Sequence, residues 1–157
     1  MEVYCRILKP QDSLKYRELR LESLRLYPEA FGSDYKTQSK LPKLFFEQMI
    51  ENESNDHIML GAFYNKELVG LCGLISLEQS HSLELVQMYV SPNARGKSIG
   101  QTLLTKAKSV LQDRIEDRLE LTVYSGNFAA IKSYKKFGFI RVASQPKEIV
   151  MYFKLST

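Results

Sequence analysis

Between Ser82 and Leu111 the chain changes its period abruptly, and that change limits the folds open to it. Ser82 to Val90 reads as an extended, mostly apolar run. Ser91-Pro92-Asn93 ends it, and a loop with two glycines follows, Arg95-Gly96-Lys97-Ser98-Ile99-Gly100. Ile99, Leu103, Ala107 and Val110, with Leu104 and Leu111, then recur at helical spacing. A strand that passes through a short loop into an amphipathic helix belongs to a core in which helices pack on a sheet.

The flanking segments extend the pattern. Glu2 to Leu8 reads as a first strand, ended by Pro10. Asp12 is placed to cap a helix to about Leu26, with Leu14, Leu21 and Leu24 near one stripe, and Pro28 stops it. Tyr27 to Lys40 is a long connector holding Phe31, Gly32 and Tyr35. Pro42 suits the first turn of a second helix, in which Phe45/Met49 and Phe46/Ile50 pair at i,i+4. His57 to Tyr64 and Glu67 to Ser76, separated by Asn65-Lys66, predict an antiparallel hairpin. Leu119 to Tyr124 is a short strand. Asn127 opens a helix with Ala130, Ile131, Tyr134 and Phe137, and Gly138 suits its left-handed end. Phe139 to Ala143 and Glu148 to Leu155 are two last strands. The order β-α-α-β-β-β-α-β-α-β-β implies an α+β fold, with a central mixed, twisted sheet of about six or seven strands and helices on both faces.

Length and composition narrow the function. The 157 residues suit one domain, 1–157, without repeat or linker. Hydrophobic residues at 44% and charged residues at 25% lie in the globular range, which argues against disorder. The net charge of +4 is spread along the chain and clusters only at Lys132, Lys135 and Lys136, near Arg141; no nucleic-acid-binding module accompanies it, so no nucleic acid is expected as a partner. Cys5 and Cys72 sit in apolar runs and read as structural thiols, and no Cys/His cluster calls for a metal. His57 and His81, at strand starts, read as loop-edge residues. No run approaches the ~20 apolar residues of a membrane span, and Met1 to Lys9 does not resemble a secretory signal. No membrane association is expected, and the cytoplasm is the expected location.

The loop itself suits an anion. The first amides of a helix lack intrahelical partners, and its dipole places positive charge there. Gly96 and Gly100 let a ligand approach the backbone, and Arg95 and Lys97 add cationic donors. A nucleotide P-loop is excluded, because Ser91 stands where its first glycine belongs. By itself the segment also reads as an ordinary helix start.

Val90 to Gly100 resembles the cofactor-binding motif of the GNAT superfamily of acetyl-coenzyme A-dependent N-acetyltransferases, Arg/Gln-x-x-Gly-x-Gly/Ala. Arg95, Ser98 and Gly100 occupy its positions, and Ser98 departs from the usual glycine. Asn127, Ala130, Ile131, Tyr134, Lys136, Gly138 and Phe139 resemble the family's second motif, and the element order resembles its fold over nearly the whole chain. The resemblance implies acetyl-coenzyme A as co-substrate. Pantetheine would lie along Met88, Tyr89 and Val90, beside a bulge in that strand, and the pyrophosphate on Arg95, Gly96, Lys97, Ser98, Ile99, Gly100 and Gln101. Asn127 would be a helix cap, a cofactor contact, or both. Tyr134 would be the general acid for the departing thiolate, and Glu84 the base, unless a water chain serves instead. With no bulge, Glu84 would share a face with Val86, Met88 and Val90. The connector would border the acceptor cleft, with Phe31 and Tyr35 as walls and Glu29 and Asp34 as carboxylates. The acceptor would be a primary amine, on a small molecule, peptide or protein. Cys5 and Cys72 lie far along the chain from both motifs, so no acyl-cysteine is expected. The resemblance also allows a homodimer through the last strands. The competing reading is a non-catalytic acyl-coenzyme A-binding or sensor module.

Overall fold

Seven strands form one sheet in the order β1-β2-β3-β4-β5-β7-β6. The structure is a computed structural model that describes residues 2–31 and 34–155; Gly32 of the connector lies outside them. β1 (Val3–Ile7), β2 (His57–Tyr64), β3 (Glu67–Leu77) and β4 (Ser82–Val90) run antiparallel to one another. β5 (Arg118–Tyr124) lies parallel to β4, and β7 (Glu148–Lys154) and β6 (Ile140–Ser144) follow antiparallel. Asn65 and Lys66 turn the β2–β3 hairpin with φ of 51° and 68°, the left-handed pair that a two-residue turn between twisted strands needs.

Alternate residues of β2 and β3 feed two cores. Leu60, Ala62, Cys72 and Leu74 face α4 (Ile99–Gln112) and α5 (Phe128–Phe137), where Leu103, Leu104 and Leu111 are buried. Met59, Phe63 and Leu71 face α1 (Ser13–Leu26) and α3 (Phe45–Glu51), where Tyr16 and Phe46 are buried. These strands are apolar on both faces because helices cover both. The far edge differs: Ile140 and Val142 on β6 are exposed.

Three local expectations change. The connector holds a short helix, α2 (Tyr35–Ser39), so that among the described residues three α-helices, not two, lie between β1 and β2. Asp34 caps it by accepting from the Thr37 amide (3.1 Å). Pro42 lies outside α3, which starts at Phe45. Asp12 precedes α1 but does not cap it. Its carboxylate accepts from Arg6 Nη1 (2.7 Å) and Nη2 (3.1 Å) and from the Lys9 amide (2.8 Å), and the Arg6 hydrogen bonds hold it below the usual carboxylate range. The buried stripe of α1 is Tyr16, Leu19, Arg20, Ser23 and Leu24, whereas Leu14 is exposed.

β4 carries the irregularity that shapes the site. Leu71 faces Tyr89 and Gly73 faces Val86, so Gln87 and Met88 together stand against Cys72. Gln87 has φ of 55°, an uncommon conformation for a residue with a side chain. Tyr16, buried in α1, donates from its hydroxyl to Gln87 Oε1 at 2.7 Å and anchors the bulge. Tyr16→Phe should lower stability by about 1 kcal/mol in urea unfolding with an unchanged m-value, since a part-buried acceptor loses its donor. An unchanged midpoint would show that this bond does not hold the bulge.

Candidate active site

The site begins where a ladder ends. β4 and β5 pair through Ser82↔Arg118, Leu83↔Leu119 and Glu84↔Glu120 and no further, while β5 stays paired to β7 as far as Tyr124↔Glu148. β4 therefore parts from β5 and leaves a gap in the sheet. A cleft of about 750 Å³ occupies it, with Met88, Leu121, Val123, Asn127 and Tyr134 among its walls. A channel of about 570 Å³ shares Phe31, Met88, Asn127 and Tyr134 with that cleft. Its other end shares Gly96, Gly100 and Ser133 with a recess of about 470 Å³ at the start of α4. The three make one groove, from the gap to the loop.

At the loop the backbone is bare. The amides from Gly96 to Gln101 donate to no protein acceptor among the described residues; the first bond of α4 runs from Thr102 to the Ser98 carbonyl (3.1 Å). Gly96 has φ of 84°, and a Cβ at Gly96 or Gly100 would meet nothing within 4 Å, because that space belongs to the groove. Ser98 also takes a left-handed φ, 58°, which explains why glycine suits the position and serine departs from the pattern at some backbone cost. Free amides, a helix start and an open cradle fit a diphosphate.

The side chains of the loop divide. Arg95 donates from Nε to the Val90 carbonyl (3.1 Å), with its guanidinium 4.9 Å from the Tyr27 ring centre. Lys97 turns to the Tyr64 ring (5.1 Å) and does not line the recess. Gln101 donates to the Ser133 carbonyl (2.9 Å) and hydroxyl (3.0 Å), tying α4 to α5. The cations that face the recess from α5 are Lys132 and Lys136. In the sequence Lys132 stands out only as part of a charge cluster, and Lys136 as part of that cluster and of the second motif; their i,i+4 spacing on a helix after the loop was the signal for a shared recess.

The bulge redistributes the side chains of β4. Leu83 and Leu85 pack toward α4, which sets Glu84 on the opposite face, with Val86 and Tyr89. Beyond the bulge Met88 and Val90 pack toward α4. Glu84 and Met88 thus lie on opposite faces, unlike the pattern of an unbroken strand. The Tyr89 hydroxyl donates to Glu22 (2.7 Å), so its side chain braces the wall of the groove. Glu84 is half-buried; burial, and then its like-charged neighbour Glu120, raise its carboxyl above the ordinary value. Tyr134, 8% exposed on α5, lines the cleft from the other face, and burial raises its phenol well above the usual tyrosine value.

Asn127 caps α5, its Oδ1 accepting from the Ala130 amide (3.2 Å), and also lines the cleft. Phe31 reaches the cleft, and Glu29 with it, but Tyr35 does not line it, and Asp34 is taken up as a cap. Cys72 is distant in sequence from both motifs yet packs in the same core as Tyr134. It is fully buried, and burial raises its thiol; Cys5 is raised to about 11, so neither is a ready nucleophile. Among the described residues no group of three or more His, Cys, Asp or Glu is placed to hold a metal, and no helix is long and apolar enough to cross a membrane.

The sequence matches the acetyltransferase (GNAT) family over residues 17–139. The chain belongs to that family and is an N-acetyltransferase by that membership. It is 26% identical over 145 residues to the spermidine N(1)-acetyltransferase of Thermoplasma acidophilum, covering 88% of this chain and 89% of the relative. The structure of the PaiA N-acetyltransferase from Thermoplasma acidophilum in complex with coenzyme A matches with a TM-score of 0.83 and 26% identity, over 99% of this chain and all of that one. A ribosomal-protein-alanine N-acetyltransferase from Brucella melitensis shares the fold, with a TM-score of 0.75 at 22% identity, over 96% and 99% of the two chains.

Gly100→Val fills the cradle without touching the core. Its melting temperature should stay within a few degrees of the parent, while acetyl-coenzyme A binds about tenfold or more weakly by calorimetry. Unchanged affinity would remove Gly100 from the binding surface.

Proposed function

We propose that the protein transfers the acetyl group of acetyl-coenzyme A to a primary amine by direct attack within a ternary complex. The observation that carries this reading is the gap between β4 and β5, which joins the two faces of the sheet at one point. Coenzyme A-binding features lie on the α4/α5 face: bare amides, Gly100, Lys132 and Lys136. Glu84 and Phe31 lie on the cleft from the α1/α3 side. An amine arriving from the second face meets a donor held on the first, with no need for a covalent enzyme intermediate.

Acetyl-coenzyme A, when bound, supplies a thioester carbonyl open to attack. The chain's own groups then have separate tasks. The amides at the start of α4, with Lys132 and Lys136, hold the diphosphate. The β4 backbone beyond Glu84 has no strand partner on its β5 side, and the Val90 amide is the donor we assign to the carbonyl oxygen. Tyr134 keeps its proton at Oη, because burial disfavours the phenolate, and gives it to the leaving sulfur. Glu84 accepts the proton that the amine must lose. Burial and Glu120 make it a stronger base than an exposed carboxylate. The free cysteines suit a reducing compartment, and we place the reaction in the cytoplasm. Pairing of two copies along the exposed β6 edge is the assembly we propose, and sedimentation tests it.

Thiol release from acetyl-coenzyme A with a panel of amines tests the activity. Tight coenzyme binding without turnover on any amine would favour a binding module instead. Tyr134→Phe should lower kcat by about 10²-fold or more with little change in KM for acetyl-coenzyme A; full activity would remove the acid assignment. The pH profile tests Glu84. It acts only as a carboxylate, so activity should fall as pH drops through its raised pKa. Glu120→Gln removes the like charge, lowers that pKa and should move the acid limb of kcat/KM to lower pH, while burial keeps it above the ordinary range. A limb that does not move would contradict the base role.

A further inference from the structure

Arg20 is a buried cation without a hydrogen-bonding or ionic partner among the described residues. It sits on α1, 7% exposed, and its Nη1 is enclosed without a hydrogen-bond partner. Among the described residues it makes no ion pair, although Glu29 and Glu84 line the same cleft. The Phe31 ring lies 4.9 Å from its guanidinium carbon, and Tyr16, one turn earlier on α1, is a further neighbour. Arg17, one turn earlier, shows the usual arrangement: Nη1 donates to Glu47 at 2.6 Å, and Nη2 to the carbonyls of Ser39 (3.1 Å) and Leu41 (2.8 Å).

An enclosed guanidinium nitrogen without an acceptor is costly, and a ring face offers charge attraction but accepts no in-plane N–H bond. The apolar stripe on which Arg20 stands, with Leu19 and Leu24 beside it, would pack with any aliphatic residue there. Arg20 lines the cleft but neither the channel nor the recess at α4, so its anion is not the donor's diphosphate. The cleft wall on the acceptor side therefore presents both charges, a carboxylate at Glu84 and a guanidinium at Arg20.

We infer that Arg20 binds a carboxylate of the acceptor, so that the acceptor is an amino-carboxylate, carrying its amine toward Glu84 and its carboxylate to Arg20. This rests on the acetyltransferase reading and names its substrate class. The planar fork of arginine matches a carboxylate through two parallel bonds, and Phe31 holds it in plane. A polyamine has no such group and would bring a second positive charge toward a buried cation.

The test uses the full chain and pairs of acceptors that differ in one group: free amino acids against their carboxamides, with short peptides and spermidine as further arms. At saturating acetyl-coenzyme A the parent should favour the carboxylate over the carboxamide by about tenfold or more in kcat/KM, the range for a lost charge-assisted pair. Arg20→Met, matched in length, should bring the two within a few-fold of each other through KM, and its melting temperature should hold or rise. Arg20→Lys should keep part of the preference, and it serves as the test if Arg20→Met does not fold. Free amino acids outrunning peptides, or the reverse, tells which molecule carries the carboxylate. Equal use of each pair, spermidine as the best acceptor, or a preference that survives Arg20→Met would overturn the inference while leaving the acetyltransferase reading intact. If no amine reacts, that reading fails, and calorimetry of N-acetyl amino acids against N-acetyl carboxamides in the presence of coenzyme A still decides: carboxylate-selective binding lost in Arg20→Met supports the site, and its absence overturns it.

Discussion

The β4–β5 ladder stops at Glu84↔Glu120, and the proposed site is built around that stop. A parallel pair in the middle of a sheet ordinarily continues, because each unpaired backbone group in the interior is costly. Here the bulge at Gln87 turns β4 aside, with Tyr16 holding the turned residue through its amide oxygen. The result is a window through a sheet whose central strands are covered by helices on both faces.

The window also sets the electrostatics. On one face, α4 begins with amides that have no protein acceptor, next to lysines on α5. On the other, Glu84 and Glu120 stand side by side across the last paired position, and Arg20 lies buried nearby on α1. Two of these arrangements are unfavourable in the isolated chain, the paired like charges and a guanidinium nitrogen enclosed without an acceptor among the described residues; the bare amides are left to solvent. Such local costs gather where a protein is built to complete itself with ligands. The position of the amides and of these charges on opposite sides of one gap is what makes a two-substrate reaction the natural reading.

Much of the fold was legible because period reports burial. The strand, loop and helix from Ser82 to Leu111, the hairpin at Asn65-Lys66 and the cap at Asn127 appear where the sequence places them. What was not legible had no period to report. α2 is only Tyr35–Ser39, too short for a repeat. The bulge rests on one residue, and glutamine carries no mark of a left-handed φ. Asp12 has the composition of a cap, but Arg6, six residues earlier and on a strand, claims its carboxylate. Tyr35 and Phe31 looked equivalent in the connector, yet only Phe31 faces the cleft. Arg20 was unreadable as a site residue, since an arginine on an amphipathic helix ordinarily faces solvent. Lys97 and Gln101 stand in the expected loop, and only their backbone is left free for a ligand; their side chains are engaged elsewhere.

In the proposed reaction donor and acceptor meet through the gap between β4 and β5. A crystal structure with coenzyme A bound tests it most directly. Pyrophosphate oxygens should lie on the amides between Gly96 and Gln101, and the sulfur at the gap, within hydrogen-bond reach of Tyr134. A coenzyme bound with its sulfur away from the gap, or a β4–β5 ladder that closes past Glu84 when it binds, would contradict it.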